Sequence, residues 1–269
     1  MSLGKVAIIG HNGFVGSSLT TQLLNSGVQV SGFSSRTDTQ ELHNNVWDSL
    51  IIAAPSAVKW LANLNPLEDA INVDSLFRKI EATKSNRQYL FSTLDVYAKK
   101  NQNESDIENF EESQAYGHNR RNLEEALLAT CDNLTIIRLP ALFGHGLKKN
   151  IYYDLLHMNQ IENVSSNSIF QWYPVSRLLE DLTIIAKNKI EIINLVSEPI
   201  KTSVVVNEVF PEVFDIVSRD SKSETEIIYE CESLYASLWN KSNDRYMFET
   251  DYIIKLMVET REFYEQVSR

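Results

Sequence analysis

"KVAIIGHNGFVGSSLTTQLLNSG" (Lys5–Gly27) decides the fold. Lys5–Gly10 is a short β-branched run that ends on glycine, the pattern of a buried strand. In Phe14–Gly27, Val15, Leu19, Leu23 and Leu24 recur at helical spacing, and Asn25-Ser26-Gly27 is a helix stop. Val28–Phe33 reads as a second strand. Strand, helix and strand in this order form a β-α-β unit, which requires parallel strands and a right-handed crossover.

The alternation continues outward from that unit. Ser49–Pro55 reads as a strand, Pro66–Thr83 as a helix opening with proline and acids, and Arg87–Thr93 as a strand. The helix with "AYGHNRRNLEEAL" follows, then strand Leu134–Pro140, helix Ser176–Asn188 and strand Glu191–Ser197. Such alternation predicts an α/β fold of the Rossmann type, a doubly wound parallel sheet covered on both faces. Between Arg36 and Trp47 there is hardly room for a helix and a strand, so the sheet is expected to lack an element there. After Ser197 the rhythm weakens, with a candidate strand at Thr225–Glu230 and an amphipathic helix at Thr250–Val267. The expected division is a dinucleotide-binding domain, 1–147 and 171–197, and a smaller substrate lobe, 148–170 and 198–269.

The 269 residues carry a formal net charge of -11. Nucleic acids and anionic membranes need a basic face, so neither is an expected partner. No apolar run approaches the roughly 20 residues of a membrane span, and the N-terminus runs straight into a strand. Cys131 and Cys231 make no framework, which fits a reduced, cytoplasmic protein. The five histidines show no metal-ligand spacing, and no metal site is expected.

The first β-α turn reads Gly10-His11-Asn12-Gly13-Phe14-Val15-Gly16. Gly10 and Gly13 allow a close approach to a pyrophosphate, and Gly16 allows tight packing of helix on strand. Open N–H groups at the helix start then attract the phosphates. NAD sites usually carry an acid at the end of the second strand. Here Ser34-Ser35-Arg36 offers hydroxyls and a guanidinium suited to a ribose 2′-phosphate, so NADP is favoured over NAD.

These stretches resemble the extended short-chain dehydrogenase/reductase family, the NAD(P)-dependent sugar-nucleotide epimerases and dehydratases. "IIGHNGFVGSSLTTQLL" is similar to that family's opening G-x-x-G-F-I/V-G-S-x-L, and "IIAAP" (Ile51–Pro55) to its H-x-A-A strand. "AINVDSLFRKI" resembles its N-V-x-G-T helix, with Asn72 matching and Asp74-Ser75 in place of Gly-Thr. "FSTLDVYA" (Phe91–Ala98), "AYGHNRRNLE", "RLPALFGHG" (Arg138–Gly146) and "INLVSEP" follow in family order. The resemblance implies coenzyme contacts at Gly10, Asn12, Gly13, Phe14, Val15, Gly16, Ser34, Ser35, Arg36, Ala53, Ala54, Pro55, Ser92, Tyr116, Arg120 and Pro140. It also implies Tyr116 as acid/base and Thr93 as the assisting hydroxyl. Arg120 stands where the family has lysine.

Tyr116 and Arg120, four residues apart, share one helix face with Leu123 and Leu127. Making a tyrosine a base near neutrality means stabilising its phenolate by roughly 4 kcal/mol. A fixed cation supplies part of that. Arginine is such a cation, but it cannot pass on a proton as an ammonium can. Its alternative employment is an ion pair with Glu124 on the same face.

The dehydratase branch uses S-T-D-E-V-Y, whereas this chain reads Ser92-Thr93-Leu94-Asp95-Val96-Tyr97. Leu94 cannot donate a proton, so epimerisation or carbonyl reduction is expected, with Asp95 a further site candidate. Lys148, Lys149 and Asn150 fall where the family receives a nucleotide diphosphate, and Trp172, Tyr173 and Trp239 are candidates to stack on a base. The leading expectation is an NAD(P)-dependent oxidoreductase or epimerase acting on a nucleotide-linked sugar or similar small alcohol. The alternative is a catalytically impaired NADP-binding sensor of the same fold. Because family members pair through helices, a homodimer is expected.

Overall fold

The computed structural model covers residues 3–36, 40–106, 114–219 and 226–267. It packs as two units. The first comprises Met1–Lys99, Ser105–Leu139 and Ser176–Ile193, and the second Lys100–Glu104, Pro140–Val175 and Asn194–Arg269.

The first unit is built on a six-stranded parallel sheet. The chain runs β1 (Val6–Ile9), α1 (Phe14–Asn25), β2 (Val30–Phe33), α2 (Gln40–Asn44), β3 (Val46–Trp47) and β4 (Ser49–Ile52). It continues through α3 (Lys59–Leu64), α4 (Pro66–Glu81), β5 (Lys84–Ser85), β6 (Gln88–Thr93), α5 (Ala115–Thr130) and β7 (Leu134–Leu139). After the excursion of Pro140–Val175 it returns with α7 (Leu178–Asn188) and β11 (Ile192–Asn194). Strand order is β11-β7-β6-β4-β1-β2. The β1 and β4 strands are buried at every position, as a sheet covered on both faces demands.

The expected shortfall after Arg36 takes a definite form. Among the described residues no strand lies outside β2. One helical turn, α2, leads instead to β3, which pairs with β5 as a separate two-stranded piece. The chain then re-enters the sheet on the other side of β1, with Ile9 opposite both Phe33 and Ile52. The strand order therefore reverses at β1, and such a reversal opens a crevice beyond the carboxyl ends of β1 and β4. Asp38, the first acid after the end of β2, lies outside the described residues.

The second unit contains β8 (Ala141–Phe143), α6 (Ile151–Leu156), β9 (Ile169–Phe170), β10 (Trp172–Pro174), β12 (Ile200–Lys201), α8 (Thr202–Val209), α9 (Phe214–Arg219) and α10 (Thr250–Val267). Two-stranded ladders, β8 with β10 and β9 with β12, replace a continuous sheet. Phe143, Tyr152, Trp172 and Phe210 pack edge-on or tilted as its aromatic core. Ile228 of the expected Thr225–Glu230 strand makes only a single bridge, to Ile169. The expected terminal helix is α10. No helix among the described residues is long and apolar enough to cross a membrane.

Candidate active site

The glycine turn leaves no room for a side chain at Gly10 or Gly16. Gly10 has φ +88°, and a β-carbon there would lie 2.5 Å from the Ala53 carbonyl oxygen. A β-carbon on Gly16 would lie 2.2 Å from the Gly10 carbonyl oxygen. The N–H of Gly13 bonds to that same oxygen at 2.9 Å. The α1 helix has no side-chain cap and no acid in its first turn, so its amino end is open to an anion. Phe14 and Val15 begin α1, and Asn12 and Gly13 are exposed at the turn. His11 was not a sequence candidate. Its ring occupies the space that a side chain on Gly32 of β2 would need, and its Nδ1 is buried without a partner. Only the glycine on the adjacent strand signals that packing.

After β2, Ser34 Oγ accepts the Arg36 N–H at 3.1 Å, while the carbonyls of Ser34 and Ser35 accept from Lys79 Nζ. The Arg36 side chain is exposed. The β4 strand stops at Ile52, so Ala53, Ala54 and Pro55 form the following loop, anchored by the Ala53 N–H on the Ile9 carbonyl at 2.9 Å.

Thr93 ends β6, and its Oγ1 accepts the Asp95 N–H at 3.1 Å in the turn that follows. The Thr93 side chain stands near enough to the Tyr116 hydroxyl to favour its phenolate. The structure thus brings Thr93 and Tyr116 together. Gly117 fixes the approach, because a β-carbon there would lie 1.9 Å from the Asp95 carbonyl oxygen. The start of α5 is capped from α3, an element the sequence reading missed. Asn63 Oδ1 accepts the Tyr116 N–H at 2.9 Å, and Lys59 Nζ lies 2.8 Å from Asp95 Oδ1. Short polar-apolar alternation in Lys59–Leu64 left no periodic signal for so brief a helix.

Arg120 does turn inward with Tyr116, and its guanidinium lies 4.1 Å from the centre of the Tyr116 ring. Its partner is not Glu124. It pairs with Asp69 of α4 and donates to the Ser56 carbonyl at 2.7 Å. Glu124 is fully occupied elsewhere: by Arg138 at 2.7 Å, by Arg121 at 3.0 Å and by the Ser92 hydroxyl. Burial works against the Arg138 charge, but Glu124 and the Tyr97 hydroxyl outweigh it and hold the guanidinium protonated. Ser92 therefore faces this buried network. Burial pushes the Tyr116 phenol up to about 12. Arg120 and the Thr93 side chain pull it down, while Asp95 and Asp69 push it further up. Arg120 thus acts on the phenol in the direction a fixed cation should, but desolvation is the larger effect and Asp69 opposes the guanidinium charge.

In the second unit, Pro140 joins β7 to β8. Lys148 and Lys149 are exposed, whereas Asn150 is used structurally: its Oδ1 caps α6 at Tyr153 N and its Nδ2 donates to the Leu142 carbonyl. Trp172 and Tyr173 are core residues, so they are not open stacking platforms; Trp239 is half-buried. No cluster of metal-ligating side chains occurs among the described residues.

The sequence profile of the NAD dependent epimerase/dehydratase family matches residues 6–167, more than half of the chain. The protein belongs to that family. Its members are enzymes, and the match takes in the glycine turn, Thr93, Tyr116 and Arg120. No curated protein sequence is significantly similar to this one. Among solved structures, the dTDP-4-dehydrorhamnose reductase of Clostridium acetobutylicum is similar at TM-score 0.69 and 16% identity, over 97% of this chain and 99% of that one. The UDP-glucose 4-epimerase of Thermotoga maritima, solved with UDP-glucose, gives 0.69 and 13%, over 98% and 100%. MoeE5, solved with UDP-glucose and NAD, gives 0.73 and 17%, over 99% and 100%. At these identities the structures establish the shared fold.

Proposed function

We propose that this epimerase/dehydratase family protein is an NADP-preferring reductase or epimerase of a nucleotide-linked sugar, with Tyr116 as its acid/base. The observation that carries this reading is the buried Tyr116 beside the half-buried Thr93 at the carboxyl end of β6, in the same unit as the glycine turn. Gly10 and Gly16 let the turn close against Ala53 and against itself, and α1 offers a pyrophosphate an uncapped helix start. When bound, the nicotinamide supplies or receives the hydride. Tyr116 donates a proton to the substrate oxygen in reduction and accepts one in oxidation, with Thr93 orienting the hydroxyl. Arg36 with Ser34 and Ser35 favours a 2′-phosphate. Leu94 in place of an acid disfavours dehydration. The exposed Lys148 and Lys149 are candidate contacts for the diphosphate, and a homodimer is supported by Trp60, Leu64, Leu67 and Ile71, which leave 68–80% of their surfaces exposed on α3 and α4.

Incubation with NADP and a panel of UDP-, GDP- and dTDP-sugars tests this reading. Turnover that disappears in Tyr116→Phe supports it. No turnover across the panel, with the coenzyme bound, would favour the sensor instead, a reading motivated by the engagement of Arg120 with Asp69 and Ser56.

A further inference from the structure

Lys79 is the only buried lysine among the described residues, with 7% of its surface exposed. From the last turn of α4 it reaches the chain just past β2. Its Nζ donates to the Ser34 carbonyl at 3.3 Å and to the Ser35 carbonyl at 3.2 Å. A buried ammonium is unfavourable unless it is hydrogen-bonded, so these contacts fix the loop together with the lysine. The loop starts beside the glycine turn, where the Gly10 N–H bonds to the Phe33 carbonyl at 2.8 Å.

Across a planar trans peptide, a carbonyl and the following N–H point in opposite directions. With both carbonyls drawn towards Lys79, the N–H groups of Ser35 and Arg36 are turned away from it. Ser34 Oγ accepts the Arg36 N–H at 3.1 Å and keeps its own hydrogen to donate. The Ser35 N–H has no partner among the described residues, and the Arg36 side chain is exposed next to it. The side of the loop facing away from Lys79 therefore offers donors.

We infer that Lys79 is the positioning residue that makes this loop accept a ribose 2′-phosphate in preference to a ribose 2′-hydroxyl. This rests on the reading of the glycine turn as an NADP site. A phosphate oxygen is a strong acceptor and calls for donors and cations. A ribose hydroxyl donates as well, which is why NAD sites carry a carboxylate at this place. Lys79 keeps the acceptors of the loop, the Ser34 and Ser35 carbonyls, turned inward. Without it either peptide is free to rotate, and a carbonyl then faces the ribose, where it repels phosphate and accepts from a hydroxyl. Arg36 makes the direct contact, and Lys79 acts through the loop.

The test is calorimetric titration with NADP and with NAD on wild type, Lys79→Met and Lys79→Arg, each confirmed as folded by circular dichroism. In Lys79→Met the Kd for NADP rises roughly 10-fold or more, while that for NAD stays level or falls. Lys79→Arg still donates to both carbonyls and keeps the preference. Adenosine 2′,5′-bisphosphate and adenosine 5′-monophosphate reproduce the pattern without the nicotinamide half. In wild type, the amide resonance of Ser35 shifts with the bisphosphate and not with the monophosphate. An unchanged NADP-to-NAD ratio in Lys79→Met would overturn the inference. So would an equal loss of both coenzymes, which marks a merely structural lysine. A Ser35 amide that ignores the bisphosphate overturns it without any variant having to fold. A wild type that prefers NADP while the Lys79 variants bind as it does removes this inference alone. A wild type that binds neither coenzyme, or binds NAD more tightly, removes the NADP reading and the inference with it.

Discussion

Arg120 forms a buried ion pair with Asp69, a residue from a different helix, instead of with Glu124 one turn along its own. The pairing decides what Arg120 can contribute. A guanidinium held by a carboxylate and a carbonyl lowers the Tyr116 ionisation only partly, and burial prevails.

Releasing Arg120 therefore changes the phenol. Asp69→Asn removes a charge that raises Tyr116, so its ionisation in the coenzyme-free protein moves to lower pH. Arg120→Met moves it higher. Ultraviolet difference titration against Tyr116→Phe reads both directions. Arg120→Met also strands the mostly buried Asp69 carboxylate, and thermal unfolding should show a loss of roughly 3–5 kcal/mol.

The raised phenol has a consequence for alkaline stability. An unfolded tyrosine ionises near 10, whereas native Tyr116 holds its proton to about 12. Between those values the unfolded chain binds fewer protons than the native protein, so stability falls as pH rises through that window. Below about 10 the contribution is fully present. Tyr116→Phe flattens this part of the curve, as measured by denaturant midpoints across the window.

Gly117→Ala is expected to separate Tyr116 from Thr93. Its β-carbon would meet the Asp95 carbonyl oxygen at 1.9 Å, so α5 or the turn after β6 must shift. Coenzyme binding is retained, because the glycine turn is untouched, while kcat falls by roughly 100-fold. Steady-state kinetics alongside coenzyme fluorescence separate the two effects.

Arg36→Ala tests the coenzyme preference. Losing a charge-assisted hydrogen bond to the 2′-phosphate costs about 1.5–3 kcal/mol, a rise in KM for NADP of roughly 10- to 100-fold. KM for NAD stays near the wild-type value.

Glu124→Gln leaves Arg138 buried with no full counter-charge. The loss of stability is expected at roughly 3–5 kcal/mol by chemical denaturation. Because Ser92 and Arg138 sit on neighbouring strands, Ser92↔Arg138 in register, the damage falls on the sheet beneath the site.

The strand-helix alternation and the glycine spacing were legible because both are local: the unbroken burial of Val6–Ile9 and the one-turn spacing of buried Leu19 and Leu23 write them directly into the chain. The missing strand beyond β2 was legible as an arithmetic shortage of residues. The partners of Arg120 were not. Spacing along α5 points to Glu124, and only the packing of α4 on α5 reveals that Asp69 is nearer while Arg138 claims Glu124. Lys59 was hidden for a similar reason, since a six-residue helix carries too little pattern to place its side chains. Asn150 read as a ligand residue because capping and ligand binding use the same amide chemistry.

The central claim is that the turn after β1 holds a dinucleotide whose reactive ring meets Tyr116. Calorimetric titration with NADP, on wild type and on folded Gly16→Ala, tests it most directly. The account predicts one site of about micromolar or tighter affinity in wild type, and its loss in Gly16→Ala, whose β-carbon would collide with the Gly10 carbonyl. A wild-type protein that gives no binding heat with either NADP or NAD would contradict it.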